Sequence, residues 1–303
     1  MFDVVTAGHL SIDSIFLPDR PNPFVVLGGS PAYVSFAARR LDSTVSIISN
    51  VGADFPSAYR WWMAQEGVNI SSILQRECSS TRFELEYDAS LSNRILRLRS
   101  KASPIMVEDV PVFKAKAVHV APIDREISLD VVEKLKGCAE VLSLDPQGLI
   151  RNPSEDGRIE YTRLEDQRIL DLISIYKSSE KELKLVTGFE QVEDGIKAVH
   201  AHGVKIVIVT SGVQGLLLSI EGTQYRVPAY TPVKVVDPTG AGDAFMGGFL
   251  AEYVYGENLL RCACVGAAVA SLVVEGLGPT FFGDKETIYE RARSLYEKEI
   301  KAY

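Results

Sequence analysis

Positive charge is in short supply in this chain: 40 acidic side chains stand against 32 basic ones, a net charge of −8. A nucleic acid or an anionic membrane surface would want the opposite sign, so neither is expected as a partner. An anionic substrate must then be held by local features. Long apolar runs are also missing. The longest, 262–274, is interrupted by Gly266 and Ser271 and is too short to span a bilayer, so it reads as a buried helix. The opening residues MFDVVTAGHL carry Asp3 where a secretory leader would be basic. A cytoplasmic protein is expected. Cysteine is sparse: Cys78, Cys138, Cys262 and Cys264 show no CxxC spacing and read as free thiols rather than disulfides or metal ligands. His9, His119, His200 and His202 likewise give no metal spacing.

Several motifs are absent as well. No GxxxxGK[ST] occurs, which excludes a P-loop enzyme. The Gly-rich loop and the HRD and DFG strings of protein kinases are missing. After the first strand, Thr6-Ala7-Gly8-His9-Leu10 does not supply the GxGxxG of a dinucleotide-binding dehydrogenase.

What is present is a chain of 303 residues, 46% hydrophobic and 24% charged, enough for one large α/β domain. Strands are expected at 4–7, 11–16 and 24–27. Gly28-Gly29-Ser30-Pro31 then opens a helix to about 41, with Ser30 as cap and Pro31 in the first turn. A strand over 45–49 and a helix over 56–66 follow. Between 81 and 101 the period changes to two. Phe83, Leu85 and Tyr87 alternate with Arg82, Glu84 and Glu86, and Leu96 and Leu98 with Arg97 and Arg99. This reads as an antiparallel hairpin projecting as a small lid. Its basic residues could serve a phosphate, but cross-strand pairing of Glu84 and Glu86 with Arg97 and Arg99 is favoured. Beyond it, apolar runs at 118–120, 141–144 and 206–209 suit buried parallel strands. Helices are expected near 128–136, 179–186, 191–202, 241–255, 258–275 and 285–298. A second hairpin, 216–220 with 224–227, belongs at a sheet edge. The fold class is α/β, one mostly parallel sheet flanked by helices.

The chemistry concentrates in Asp237-Pro238-Thr239-Gly240-Ala241-Gly242-Asp243. Small residues open a helix there, so bare N–H groups and the helix dipole can cradle an anion. A carboxylate at Asp243, in the first turn, can accept the proton of an attacking hydroxyl. The plainer alternative is a capping Asp after a Gly-rich turn.

This string, followed by Phe245, Gly247 and Gly248, resembles the C-terminal signature of the ribokinase-like (PfkB) carbohydrate kinases, and the resemblance extends over essentially the whole chain, 1–303. It implies a ribokinase-like fold with a β lid mainly from 81–101. It also implies an anion hole at Gly240, Ala241 and Gly242 with Asp243 as base. Gly28-Gly29-Ser30-Pro31-Ala32 matches the N-terminal signature, with Tyr33 where the family has Asn. Asp13, Gly28, Gly29, Ser30 and Tyr33 are therefore implied acceptor contacts. Asp54, in the family's Val-Gly-x-Asp segment after Gly52, and Arg82 of the lid string join them. The family's Asn-x-x-Glu is represented by Ser179 and Glu182, which implies Glu182 as the Mg²⁺-associated carboxylate; a first-turn helix acid is the bland alternative. Lys177, Thr210, Gly212, Gly215 and Thr239 are implied ATP contacts, and the 258–275 helix should flank the adenine. ATP and Mg²⁺ are the implied cofactors, and K⁺ activation is left open, as is a monomer or a homodimer.

For the acceptor, the strings Leu144-Asp145-Pro146-Gln147-Gly148-Leu149-Ile150-Arg151, Lys177-Ser178-Ser179-Glu180, Asp237-Pro238-Thr239 and Thr81-Arg82-Phe83-Glu84-Leu85 look like the inositol-kinase branch, so myo-inositol is favoured. A nucleoside or ribose-type acceptor is the alternative, with Tyr33 and Phe83 free to stack on a base or to serve packing. A phosphosugar would need Arg97, Arg99 and Lys101 to point inward. A catalytically silent binding regulator would have lost Asp243 or the Gly-Ala-Gly turn, and both are intact.

Overall fold

In the computed structural model, which describes residues 1–91, 93–297 and 300, a nine-stranded sheet runs through the molecule. Its first half is built from β1 (Phe2–Ala7), then β2 (Ser11–Phe16), β3 (Phe24–Gly28), α1 (Ser30–Arg40), β4 (Val45–Gly52), α2 (Ser57–Gln65) and β5 (Val68–Arg76). β6 (Thr81–Tyr87) and β7 (Arg94–Ser100) form the hairpin that the alternation predicts, with Arg97–Glu86 and Arg99–Glu84 paired across its outer face. Then come β8 (Ala115–Val120), α3 (Leu129–Lys136), β9 (Ala139–Leu144), the short pair β10 (Arg151–Pro153) and β11 (Ile159–Tyr161), and β12 (Ile175–Ser179). The chain continues through α4 (Glu180–Thr187), α5 (Val192–Ala201), β13 (Ile206–Thr210), β14 (Leu216–Ile220) and β15 (Thr223–Val227), and closes with α6 (Ala241–Tyr253), α7 (Leu259–Val273) and α8 (Lys285–Tyr296). The expected end of the last helix at Lys298, and the expected domain limit at Tyr303, lie outside the described residues.

The large sheet has the order β15-β14-β13-β12-β9-β8-β1-β4-β5, parallel from β13 to β5 with the β14-β15 hairpin antiparallel at one edge. Both faces of its central strands are buried, as parallel strands require. Val4, Ile47, Ala117, Ile175 and Ile208 face α1, α6 and α7; Val5, Ile48, Val118, Leu144 and Val207 face α3, α4 and α5. On the first face α1 and α6 touch backbone to backbone: a Cβ on Gly247 would lie 2.4 Å from the carbonyl oxygen of Val34.

A separate four-stranded sheet has the order β3-β2-β6-β7. Its strands run antiparallel, parallel, antiparallel, and its apolar face gathers Ile15, Phe83, Leu85, Tyr87 and Leu96. Half of this sheet comes from strands before α1, which residue alternation in the hairpin alone does not reveal. β5, β12 and the β10-β11 pair are also unforeseen. Their residues are too polar or the runs too short to stand out.

Candidate active site

The cradle forms where the chain enters α6. Buried Asp237 accepts hydrogen bonds from the backbone N–H of Thr239 and of Gly278, each at 2.9 Å, which pins the loop. Gly240 then turns with φ +75°, and a Cβ there would fall 2.2 Å from the Tyr33 ring. Only glycine fits that position. No side chain caps α6, so its first-turn N–H groups and the dipole are available to an anion. Lys177, at the middle of β12, brings its ammonium underneath: a Cβ on Gly242 would lie 2.6 Å from Lys177 Nζ. Lys177 is itself paired at 2.6 Å with Asp145 Oδ2, both side chains almost fully buried.

Asp243 follows in the first turn and is partly exposed to the cleft. Its Oδ1 accepts from Gln147 Nε2 at 3.0 Å, and the same amide nitrogen donates to Ser30 Oγ at 2.8 Å. Gln147 Oε1 accepts in turn from Arg151 Nη2 at 2.7 Å. Burial pushes the Asp243 carboxyl above the ordinary carboxylate range; Lys177 pulls it down, Asp145 pushes it further up, and the bond from Ser30 and the charge of Arg151 oppose the rise.

Asp13, Ser11, Gly29, Ser30, Tyr33, Arg94, Gln147, Arg151, Thr239, Gly240 and Asp243 line one cleft, which encloses roughly 400 Å³ including space open to solvent. Phe83, Leu85, Leu96 and Ile123 give it an apolar wall. Asp13, from β2, is 5% exposed and accepts from Ser11 Oγ at 2.7 Å. Burial raises its pKa to about 6. Gly28 makes room for it: a Cβ there would fall 2.1 Å from Asp13 Oδ2. The Tyr33 hydroxyl is buried and has no hydrogen-bond partner among the described residues. The small sheet reaches the cradle through Tyr87, whose hydroxyl is 2.8 Å from Thr239 Oγ1 and accepts from Arg94 Nη1 at 3.0 Å.

Other expected site residues lie elsewhere. Arg82 sits on the outer face of β6 and pairs at 2.8 Å with Asp54. Burial alone would raise the Asp54 carboxyl, but the bonds from Arg82 and Ser80 hold it down at about 2. Neither residue lines the cleft. Phe83 and Leu85 face inward, so the period of two already assigns Arg82 to the other side. Glu182 lies in the first turn of α4 and closes a capping box, its Oε2 accepting from Ser179 N at 2.7 Å and Ser179 Oγ at 2.8 Å. Among the described residues no group of three acidic, His or Cys side chains could hold a bare metal ion. A single carboxylate with Oε1 left over suits a magnesium ion that keeps its water shell. Thr210, Gly212 and Gly215 surround the turn after β13, beside Ser178 and Ser179. Sequence reasoning assigned no role to Gln147, Arg151, Asp145 or Arg94, although all but Arg94 fall in strings it singled out.

The family described as pfkB family carbohydrate kinase matches residues 1–286. A cytidine kinase of Thermococcus kodakarensis is 30% identical over 286 residues, covering 92% of this chain and 98% of the relative. An inositol 3-kinase of Arabidopsis thaliana is 28% identical over 266 residues, 84% of this chain and 69% of the relative. Among solved structures, a pyrophosphate-dependent kinase of the ribokinase family, complexed with a pyrophosphate analog and myo-inositol, superposes with a TM-score of 0.82 at 21% identity, covering 95% of this chain and 99% of the other.

Proposed function

The chain belongs to the pfkB family of carbohydrate kinases, and from that premise we propose that it transfers the γ-phosphoryl group of ATP to a hydroxyl of a small acceptor bound in the Asp13 cleft. One observation carries this reading. Asp243 and Asp13 line the same cleft, and the uncapped start of α6 with the Lys177 ammonium lies at its Asp243 end. The acceptor hydroxyls bind Asp13 and Ser30, and Asp243 receives the proton of the attacking hydroxyl. The first-turn N–H groups of α6, with Lys177, face the oxygens of the migrating group. Such transition states are loose, so positioning and charge stabilisation contribute more than base strength. Magnesium supplied with the donor would neutralise phosphate oxygens, and Glu182 is the residue to hold its water shell. The small sheet acts as a lid that limits loss of the phosphoryl group to water.

A nucleoside is the acceptor best supported, because Phe83, Leu85, Leu96 and Ile123 offer an apolar wall against which a base can lie and the cytidine kinase is similar along nearly its whole length. myo-Inositol is the second reading, supported by the sequence strings around Gln147 and Lys177 and by the inositol 3-kinase. ADP release should be measured with cytidine, other nucleosides, myo-inositol, ribose and fructose, each with and without K⁺. Acceptor-dependent ADP formation is expected; its absence across the panel would refute the assignment.

Asp13 gives the reaction a pH dependence. Its folded pKa, about 6, lies above the ordinary aspartate value of 3.8, so the folded state holds a proton that the unfolded chain has released. Stability therefore declines as pH rises from about 4 through about 6, while the ionised form gains strength as a hydrogen-bond acceptor. Acceptor kcat/KM is expected to rise through pH 6. Asp13→Asn is expected to stabilise the fold at pH 7 by up to roughly 3 kcal/mol and to raise the acceptor KM. Thermal denaturation at pH 4 and 7 checks the sign, and a variant less stable than the parent at pH 7 contradicts it.

A further inference from the structure

The orientation of the Gln147 amide is dictated by its two neighbours. Arg151 is a donor only and an ionised Asp243 an acceptor only. Oε1 must therefore face the guanidinium at 2.7 Å, and Nε2 the carboxylate at 3.0 Å. Arg151 is itself fixed: it is 5% exposed, its Nη1 donates to the carbonyl oxygen of Ile123 at 2.9 Å, and its guanidinium carbon lies 5.8 Å from the centre of the Phe83 ring. Asp145, which holds Lys177, also accepts from the Gln147 N–H at 3.2 Å and so anchors the turn that carries the amide. The chain of contacts runs from a main-chain carbonyl through Arg151 and Gln147 to one oxygen of Asp243.

We propose that Arg151 and Gln147 are positioning residues that lock the Asp243 carboxylate in one orientation and keep it ready to accept a proton. The inference rests on Asp243 being the base. Ser30 completes the arrangement: its oxygen accepts from Gln147, which directs its own hydroxyl proton to Asp243. A donated hydrogen bond favours the ionised carboxylate and opposes burial. The charged and titratable groups around Asp243 are Lys177 from β12, Asp145 beyond β9, Arg151 of β10 and Tyr33 of α1. Lys177 and Arg151 favour the anion, and Asp145 disfavours it.

The test uses two readouts on the full-length protein. The first is the ¹³C shift of the Asp243 carboxyl in protein labelled at aspartate, titrated with no substrate present and assigned through Asp243→Asn. Gln147→Leu and Arg151→Met should each raise the midpoint by about one pH unit. The double variant should move it by less than the sum of the two single shifts, because both act through the same bond and Arg151 adds only its direct charge. The second readout is kcat and KM with ATP and cytidine or myo-inositol. A drop in kcat of about tenfold or more with KM within about threefold is expected, since one hydrogen bond to a charged group is at stake. Should Arg151→Met fail to fold, Arg151→Lys retains the charge but not the fork, and an upward shift is still expected. An unchanged midpoint, additive shifts in the double variant, or a rise in KM alone overturns the proposal. Those results stand apart from failure of the kinase reading, in which the unmodified protein transfers no phosphate while the titration still reports the relay.

Discussion

Asp243→Asn is expected to lower kcat by about 10²- to 10⁴-fold, the range for loss of a general base, with little change in acceptor KM. The amide is nearly isosteric, and its oxygen can still accept from Gln147 Nε2, now 3.0 Å from Asp243 Oδ1. What disappears is the ability to take a proton. The stability effect has a definite sign. Burial holds the folded-state pKa of this group above its ordinary value, so ionising it weakens the fold as pH rises out of the acid range, and a neutral amide avoids that loss. The variant should therefore melt at or above the temperature of the parent protein at neutral pH while being nearly inactive. Steady-state kinetics and a thermal scan decide this together. Retention of parental kcat removes Asp243 from the chemistry. Inactivity with a collapsed melting temperature would assign it a structural role.

Lys177→Met is expected to destabilise the protein by roughly 3–5 kcal/mol, the cost of stranding the partner of a buried ion pair. The side chains are 7% and 1% exposed and 2.6 Å apart, so solvent screens the pair very little. Burial alone would lower the Lys177 pKa, yet Asp145, Asp243 and Glu182 outweigh burial and raise it. A raised basic pKa stabilises the folded state at every pH below the ordinary lysine value, and that contribution is lost only in strong alkali. Urea denaturation at pH 7 measures the destabilisation. Lys177→Met combined with Asp145→Asn should recover much of the loss, because no buried charge then lacks a partner. The double variant should nonetheless stay catalytically poor, since the cation beneath Gly242 is gone. Equal destabilisation of the single and double variants would show that stranded charge is not the cause.

The α/β class, the helices α1 to α8 and the hairpin over β6 and β7 are legible from periodicity and end signals, because burial against one neighbour imposes a local pattern. β12 is not, since its last residues Lys177-Ser178-Ser179 are polar and interrupt the apolar run. The small sheet was half visible: pairing of β2 with β6 joins residues 70 apart, such as Ser11 with Thr81, and no local signal encodes it. The same limit hid the function of Gln147, whose partners Ser30 and Asp243 are 117 and 96 residues away. Arg82 is the opposite case. Its outward direction follows from the inward direction of Phe83, and the alternation rule sufficed to place it. Tyr33 could be noticed as a departure from the family signature, but its packing against Gly240 appears only once the two helix starts are brought together.

The contact of Gly247 with the Val34 carbonyl bears on how such a molecule can move. α1 carries Ser30 and α6 carries Asp243, and two helices in main-chain contact cannot slide past one another without a steric clash. They behave as a single stiff bracket. The four-stranded sheet joins this body at residues 8–10, 29, 77–80 and after Ser100, and any movement of its outer strands would leave the spacing of Ser30 and Asp243 unchanged.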